Sequence, residues 1–402
     1  MVGCGPLSTD AKAQPAAVFD EPWDSPAAVE RGRLGGEHST PPRRFAEHGY
    51  DDGLAVAPGG AMLVSATPRQ PVNTLDVVDL RTRSGWRIVH PNPRVGLLHP
   101  AFSPDGRRLA FVVGLPSGSG EFSGVSAIWI VDLSGKVVRI LSAPGRLYDR
   151  PVFSRDGARL AYARDVFELT GSGLRLRPEN RSAKPQSVFE ADIESGDERQ
   201  LSDERYLSIR PIDYAPAQDR IAFRAGPRMV PTVPGSADLG LDDSFWSGPP
   251  QAPAPVPLEV LTLSLADGKV RAAGADWAHV PGRGPGALLR LRLDGAALLF
   301  DGAVESRDEE AWTIFAANAA AARPMASGRD RRYVQAPAVS PDGGAFGAVL
   351  TGRVQTPATF DVGGFIFGAL DGKSSPARLS YAQISFRAQP VVLDAALPPT
   401  GH

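Results

Sequence analysis

From about residue 50 onward, apolar and polar positions alternate in short runs separated by Gly, Pro, Asp and Ser. This pattern predicts many short strands. Residues 5 to about 48 are rich in Pro, Ala, Gly and charge and sustain neither a helical nor a strand period. They are expected to form an irregular arm, residues 1–48, ahead of an all-β domain at 49–396.

The strands recur in a fixed wording. A tight turn between two apolar runs appears as "VAPGGAMLVSA" from Val56, "FSPDGRRLAFV" from Phe102, "FSRDGARLAYA" from Phe153 and "VSPDGGAFGAV" from Val339. Weaker copies are "DYAPAQDRIAFRA" from Asp213 and "LRLDGAALLFDG" from Leu291. A second strand pair follows most copies, for example "AIWIVDLSGKVVRIL" at Ala127 and "SVFEADIESGDERQL" at Ser187. Pro presets φ at the second turn position, Asp accepts a local backbone bond, and Gly tolerates positive φ. A four-stranded unit cannot bury both faces alone, so the copies must stack around an axis. The expectation is a six-bladed β-propeller of four-stranded antiparallel blades at about 54–90, 99–141, 150–201, 209–272, 288–326 and 336–380, with 381–394 closing the ring onto the first blade.

The "FSPDGxxLAF…IWxxDLxGxxxRxL" grammar, best matched from Phe102 and Phe153, resembles the WD40-like repeats of TolB-type propellers over about residues 50–394. The resemblance implies the propeller; it is specific for the repeat and not for one function. This chain lacks the α/β domain that precedes the TolB propeller, so a TolB-like translocation role does not carry over directly. The same repeat occurs in propellers that cover prolyl oligopeptidase-type active sites, and the hydrolase domain of those enzymes has no counterpart in this sequence.

Composition narrows the function. With 43 Lys plus Arg against 45 Asp plus Glu, no global field recruits nucleic acid or an anionic membrane. The single cysteine, Cys4, excludes an internal disulfide or a thiolate cluster. Val2-Gly3-Cys4 looks like the end of a bacterial lipobox, although the preceding apolar segment is missing. The expectation is lipidation at Cys4, with the true start upstream, and a periplasmic or extracytoplasmic place in the cell envelope. Any membrane attachment would run through that anchor.

Long variable segments at 114–124, 164–186, 226–256 and 351–362 all follow a second strand, which predicts one looped, partner-binding face. Phe245 and Trp246 in "LDDSFWSGPP" are candidate contact aromatics there. The residue before the innermost-strand proline is His99, Arg150 and Arg210 in successive units. These are expected to ring the channel mouth with Tyr148, Tyr206, Arg332, Tyr333 and Arg331, and to suit a carboxylate, a phosphate or an acidic peptide. Asp149, Asp203 and Glu204 offer the competing role of ion pairs between blades. The sequence holds no Gly-x-Ser-x-Gly elbow, His-Glu-x-x-His pair, Walker loop or dinucleotide fingerprint, and no cofactor or metal is expected. The sequence therefore predicts a non-catalytic platform for a protein or peptide partner. The alternative is an envelope hydrolase or lyase acting on carbohydrate or peptide at the channel mouth.

Overall fold

The computed structural model describes residues 53–66, 73–116, 122–166, 185–214, 219–231, 239–241, 259–272, 289–291, 298–305, 310–317, 322–327, 333–351, 362–371 and 375–398. The first sheet comprises β1 (Leu54–Val56), β2 (Met62–Ser65), β3 (Thr74–Asp79) and β4 (Ser84–Val89). The second comprises β5 (Gly96–Phe102), β6 (Arg108–Pro116), β7 (Phe122–Asp132) and β8 (Val137–Leu141). Next come β9 (Tyr148–Phe153), β10 (Arg159–Asp165), β11 (Gln186–Asp192) and β12 (Glu198–Gln200). They are followed by β13 (Arg205–Tyr214), β14 (Arg220–Pro231), β15 (Leu239–Leu241), β16 (Glu259–Ser264) and β17 (Val270–Ala272). Two four-stranded sheets complete the set, β18 (Leu289–Leu291), β19 (Leu298–Glu305), β20 (Glu310–Ala317) and β21 (Ala322–Ser327), then β22 (Tyr333–Val339), β23 (Ala345–Thr351), β24 (Val362–Ala369) and β25 (Ala377–Ser380).

Within each four-stranded set the order is sequential and antiparallel, which is the topology of a propeller blade. The first strands stand side by side around a closed circuit: β1 beside β5, β5 beside β9, β9 beside β13, β13 beside β18, β18 beside β22, and β22 beside β1. The protein is thus an all-β propeller. A six-bladed propeller was expected, and the described residues form five sheets, one of them nine-stranded. The physical reason is one rung of ladder. β13 begins early enough for Tyr206 to pair with Gln186 at the start of β11, and this fuses β9–β17 into one nine-stranded sheet.

The middle strands explain why the apolar runs are nearly continuous where alternation was expected. Both faces of a blade are covered, so both parities are apolar. Leu109, Phe111 and Val113 of β6 join a core with Leu75, Val77 and Trp129, whereas Ala110 and Val112 join Leu160, Tyr162 and Phe189 of the next set. Trp129 is wholly buried, with His90 edge-on at 5.5 Å between centroids.

Two short strands, β26 (Ser385–Phe386) and β27 (Val391–Val392), pair in parallel with β4, the outer strand of the first sheet. Gly85 allows this approach, because a Cβ there would fall 2.8 Å from the Phe386 ring. The Tyr381 hydroxyl donates to the buried Asp76 carboxylate, which also takes Arg87 Nε at 3.2 Å.

The repeated turn is tied by a serine that the turn chemistry alone did not single out. The hydroxyls of Ser103, Ser154 and Ser340 each donate to the Asp two residues on, at 2.5 Å, and each accepts the N–H that opens the second strand, at 2.9 Å. Gly106, Gly157 and Gly343 then adopt φ of 70°. Asp105, Asp156 and Asp342 are held below the usual carboxylate range. For Asp156 the Ser154 hydroxyl is the main cause; for Asp105 and Asp342 burial opposes the shift and the serine and backbone donors outweigh it. Among the described residues no helix is long and apolar enough to cross a membrane.

Candidate functional site in the axial channel

The innermost strands carry an X-Pro pair in the middle, and this decides what faces the axis. Proline has no N–H for the ladder and is accommodated in strands at bulges. β5 steps from Leu98↔Val112 to Ala101↔Ala110, so His99-Pro100 inserts one extra residue. The same step occurs at Arg150-Pro151 in β9, at Pro211 in β13 and at Ala336-Pro337 in β22.

Two of these bulges hold a side-chain-bearing residue in the left-handed region, His99 at φ 49° and Arg150 at φ 53°. Such a conformation is uncommon for residues other than Gly, less so for His than for Arg, and persists where surrounding structure enforces it. Both residues line a cavity of about 80 Å³ bounded by the innermost strands. Both are also buried, at 7% and 6% exposure. His99 Nδ1 lies 2.5 Å from Asp149 Oδ1, and Asp149 Oδ2 lies 3.7 Å from Arg150 Nε. His99 Nε2 is buried with no hydrogen-bond partner.

The cavity runs from this pair toward the hairpin turns, reaching Pro104, Ser340 and Pro341, with Leu54, Val56 and Ile212 as apolar wall. Arg155 spans its turn end, donating from Nη1 to the Pro341 carbonyl and from Nη2 to the Tyr214 carbonyl at 3.1 Å. Sequence reasoning offered Asp149 for an ion pair between blades, and here it meets His99 of the neighbouring set; Arg155 and Asp213 were not singled out. A signal for Arg155 was present: "FSRDG" departs from "FSPDG" at this turn position.

The other expected mouth residues fall elsewhere. Tyr148 is fully buried between blades, stacked on Tyr162 at 5.5 Å, with its hydroxyl donating to Glu198 at 3.1 Å. Burial and the Glu198 charge push its phenol well above the usual range. Tyr206 is buried beside Phe223 and donates to Glu204, which also pairs with Arg228 at 3.4 Å. Tyr148 is not among the residues lining the cavity, and the bulge at Arg150-Pro151 lies between it and Val152. For Arg210 and Tyr333 the backbone lies in β13 and β22, paired with Arg224 and Thr351, and their side chains are outside the described set. Cys4, Phe245, Trp246, Arg331 and Arg332 lie outside the described residues. The insertion at 226–256 is partly a hairpin, because β14 runs on to Pro231 and pairs with β15.

The remaining buried charges serve the blades. Glu190 accepts from Arg199 Nη2 at 2.6 Å and from the Tyr214 hydroxyl at 2.8 Å. Among the described residues no group of three or more His, Cys, Asp or Glu is placed to hold a metal ion.

The fold and the axial cavity define the chain as a propeller with a small polar site on its axis. No family model and no curated protein matches it. Solved structures similar to it include TolB from Acinetobacter baumannii, at 14% identity over 79% of this chain and 62% of that one, with a TM-score of 0.45. The chain therefore spans about three fifths of that protein's length. An oligogalacturonate lyase in complex with manganese is similar at 14% identity, covering 83% and 77%, TM-score 0.44. The acylaminoacyl peptidase of Pyrococcus horikoshii follows at 11% identity, covering 81% and 44%, TM-score 0.41. The propeller assignment rests on the strand pairing and not on these likenesses.

Proposed function

We propose that the chain is a binding propeller of a bacterial cell envelope, tethered through Cys4, that presents its looped end to a protein or peptide and reads an acidic group in its channel. On this reading the nine-stranded sheet counts as two blades sharing one rung, so the ring has six units closed by residues 381–394. The observation that carries the reading is His99 and Arg150, held on adjacent inner strands in uncommon backbone conformations with both residues lining the axial cavity. Strain of this kind marks a position kept for something other than stability. The looped segments, with Phe245 and Trp246, would supply contact area around that anchor. The test is capture of polypeptides from envelope extract by the full chain, by a variant lacking 242–256, and by Arg150→Gln. Capture lost in both variants supports the reading, and capture equal in all three overturns it.

A second reading is favoured by one specific contact. A cavity-lining histidine whose Nδ1 meets a carboxylate has the arrangement of an oriented general base. An envelope hydrolase or lyase built on His99 would lose turnover in His99→Gln while keeping its substrate affinity. A platform would show no turnover to lose.

A further inference from the structure

The stretch His90-Pro91-Asn92-Pro93 joins β4 to β5 and lies outside the cavity. Proline carries no N–H, so between His90 and Arg94 the backbone has one donor, the amide of Asn92. That amide is given to a side chain: Asn92 N–H donates to His90 Nδ1 at 3.0 Å. A short turn then builds on Asn92, whose Oδ1 accepts the Arg94 N–H at 3.0 Å and whose carbonyl accepts the Val95 N–H at 3.2 Å. β5 begins at Gly96 and runs to the hairpin turn at Pro104, so this stretch lies at the opposite end of the sheet from that turn.

The histidine is the fixed member of the pair. Its N–H donates to the Asn73 carbonyl at 2.9 Å, its carbonyl accepts from Asn73 Nδ2 at 2.6 Å, and its ring stands edge-on to Trp129, buried at 2% exposure. The turn is the loose member. Pro91, Pro93 and Arg94 are exposed and Asn92 is half-buried, so little burial opposes its opening.

A ring nitrogen that accepts an N–H carries no proton, so His90 is the neutral tautomer protonated on Nε2. A second proton must go to Nδ1, where its hydrogen would face that of Asn92 and turn the bond into a repulsion. Burial acts in the same direction and holds His90 below the ordinary histidine pKa. Among the described residues, the groups that His90 meets are Asn73, Asn92 and Trp129, and none is charged. Of the charged residues on the elements around it, Asp76 of β3 and Arg87 of β4 pair with each other, Asp79 and Asp132 are held by their own turns, and Arg94 and Asp394 are exposed.

We propose that His90 is an acid-released latch on the 90–95 connection. With the imidazole neutral the turn is closed. With it protonated the turn opens while the sheets stay folded, so the ring presents a different surface at that end in acid.

The test is hydrogen exchange of the Asn92 amide, read by NMR on the full chain from about pH 7.5 to about 4.5 and expressed as protection against the unstructured rate at each pH. Opening takes up one proton, so protection should fall about tenfold for each pH unit below about 6.5, down to the folded-state value. The amides of β7 around Trp129 should keep their protection over the same range. In His90→Phe and His90→Gln the pH dependence should vanish. Phe keeps a ring beside Trp129 and leaves the amide unprotected throughout, whereas Gln cannot gain a proton and gives one level of protection at every pH. Urea midpoints at neutral pH confirm that both variants are folded, and the wild-type profile is decisive without them. A flat wild-type profile overturns the proposal. So does a slope that survives in either variant, or a fall in β7 that keeps step with Asn92 and so marks unfolding of the ring.

Discussion

Replacing Tyr381 by Phe removes one oxygen from a buried contact and leaves the ring where it lies, tilted against Phe386 at 5.4 Å and Phe365 at 6.4 Å. The oxygen lost is the donor to Asp76, a carboxylate with no exposed surface. A hydrogen bond to a charged group contributes about 1.5–3 kcal/mol net. Asp76 keeps Arg87 Nε at 3.2 Å and so is not left bare, which places the expected cost in the lower half of that range, about 1.5–2 kcal/mol. Urea unfolding at neutral pH, followed by tryptophan fluorescence, reports it, since Trp86 lies beside the same segment with Arg387 at 5.3 Å from its ring. The cycle with Asp76→Asn isolates the pair: the two substitutions together should cost about 1 kcal/mol less than their sum. A loss below ~0.5 kcal/mol, or additivity in the cycle, would refute the claim that this contact secures β26 and β27 to β4.

Trp129→Ala opens a cavity between the first two sheets and should cost about 3–5 kcal/mol in the same assay. Stability should also fall at both ends of the pH scale. The folded-state pKa of His90 is depressed by burial, so its contribution is present above the ordinary histidine value of about 6.5 and is lost as pH falls through the depressed value; the turn carboxylates of Asp105, Asp156 and Asp342 add a second loss below about 4. The phenols of Tyr148, Tyr162, Tyr214 and Tyr381 are raised by burial and neighbouring charges, so their contribution is present below about 10 and lost as pH climbs above it. Urea midpoints across pH 3–11 would show a plateau between those limbs, whereas a flat profile throughout would contradict the assignments.

How far the sequence could be read depended on whether the cause was local. The turns at Ser103–Arg107 and Ser154–Ala158 were legible because aspartate and glycine, joined by proline in the first, dictate their own backbone. X-Pro recurs at His99, Arg150 and Arg210, and the structure puts a bulge at each of these places. What escaped were relations between units. The rung between Gln186 and Tyr206 depends on how two neighbouring sets meet, and no wording in either announces it. Arg155 reaches the Pro341 carbonyl 186 residues away. The burial of Tyr148 against Tyr162 is likewise a contact between strands that its own sequence neighbours do not specify.

The parallel pairing of β26 and β27 with β4 sets the order in which this ring can become whole. The Tyr381 to Asp76 contact joins positions 305 residues apart, and at ~5–20 residues per second of synthesis the first sheet waits many seconds for its outer neighbour. Until then β4 offers a row of unpaired amides and carbonyls to any strand nearby. The segment from 381 onward, made long after β4, ends that period of exposure and so acts as a delayed guard of the first sheet's edge.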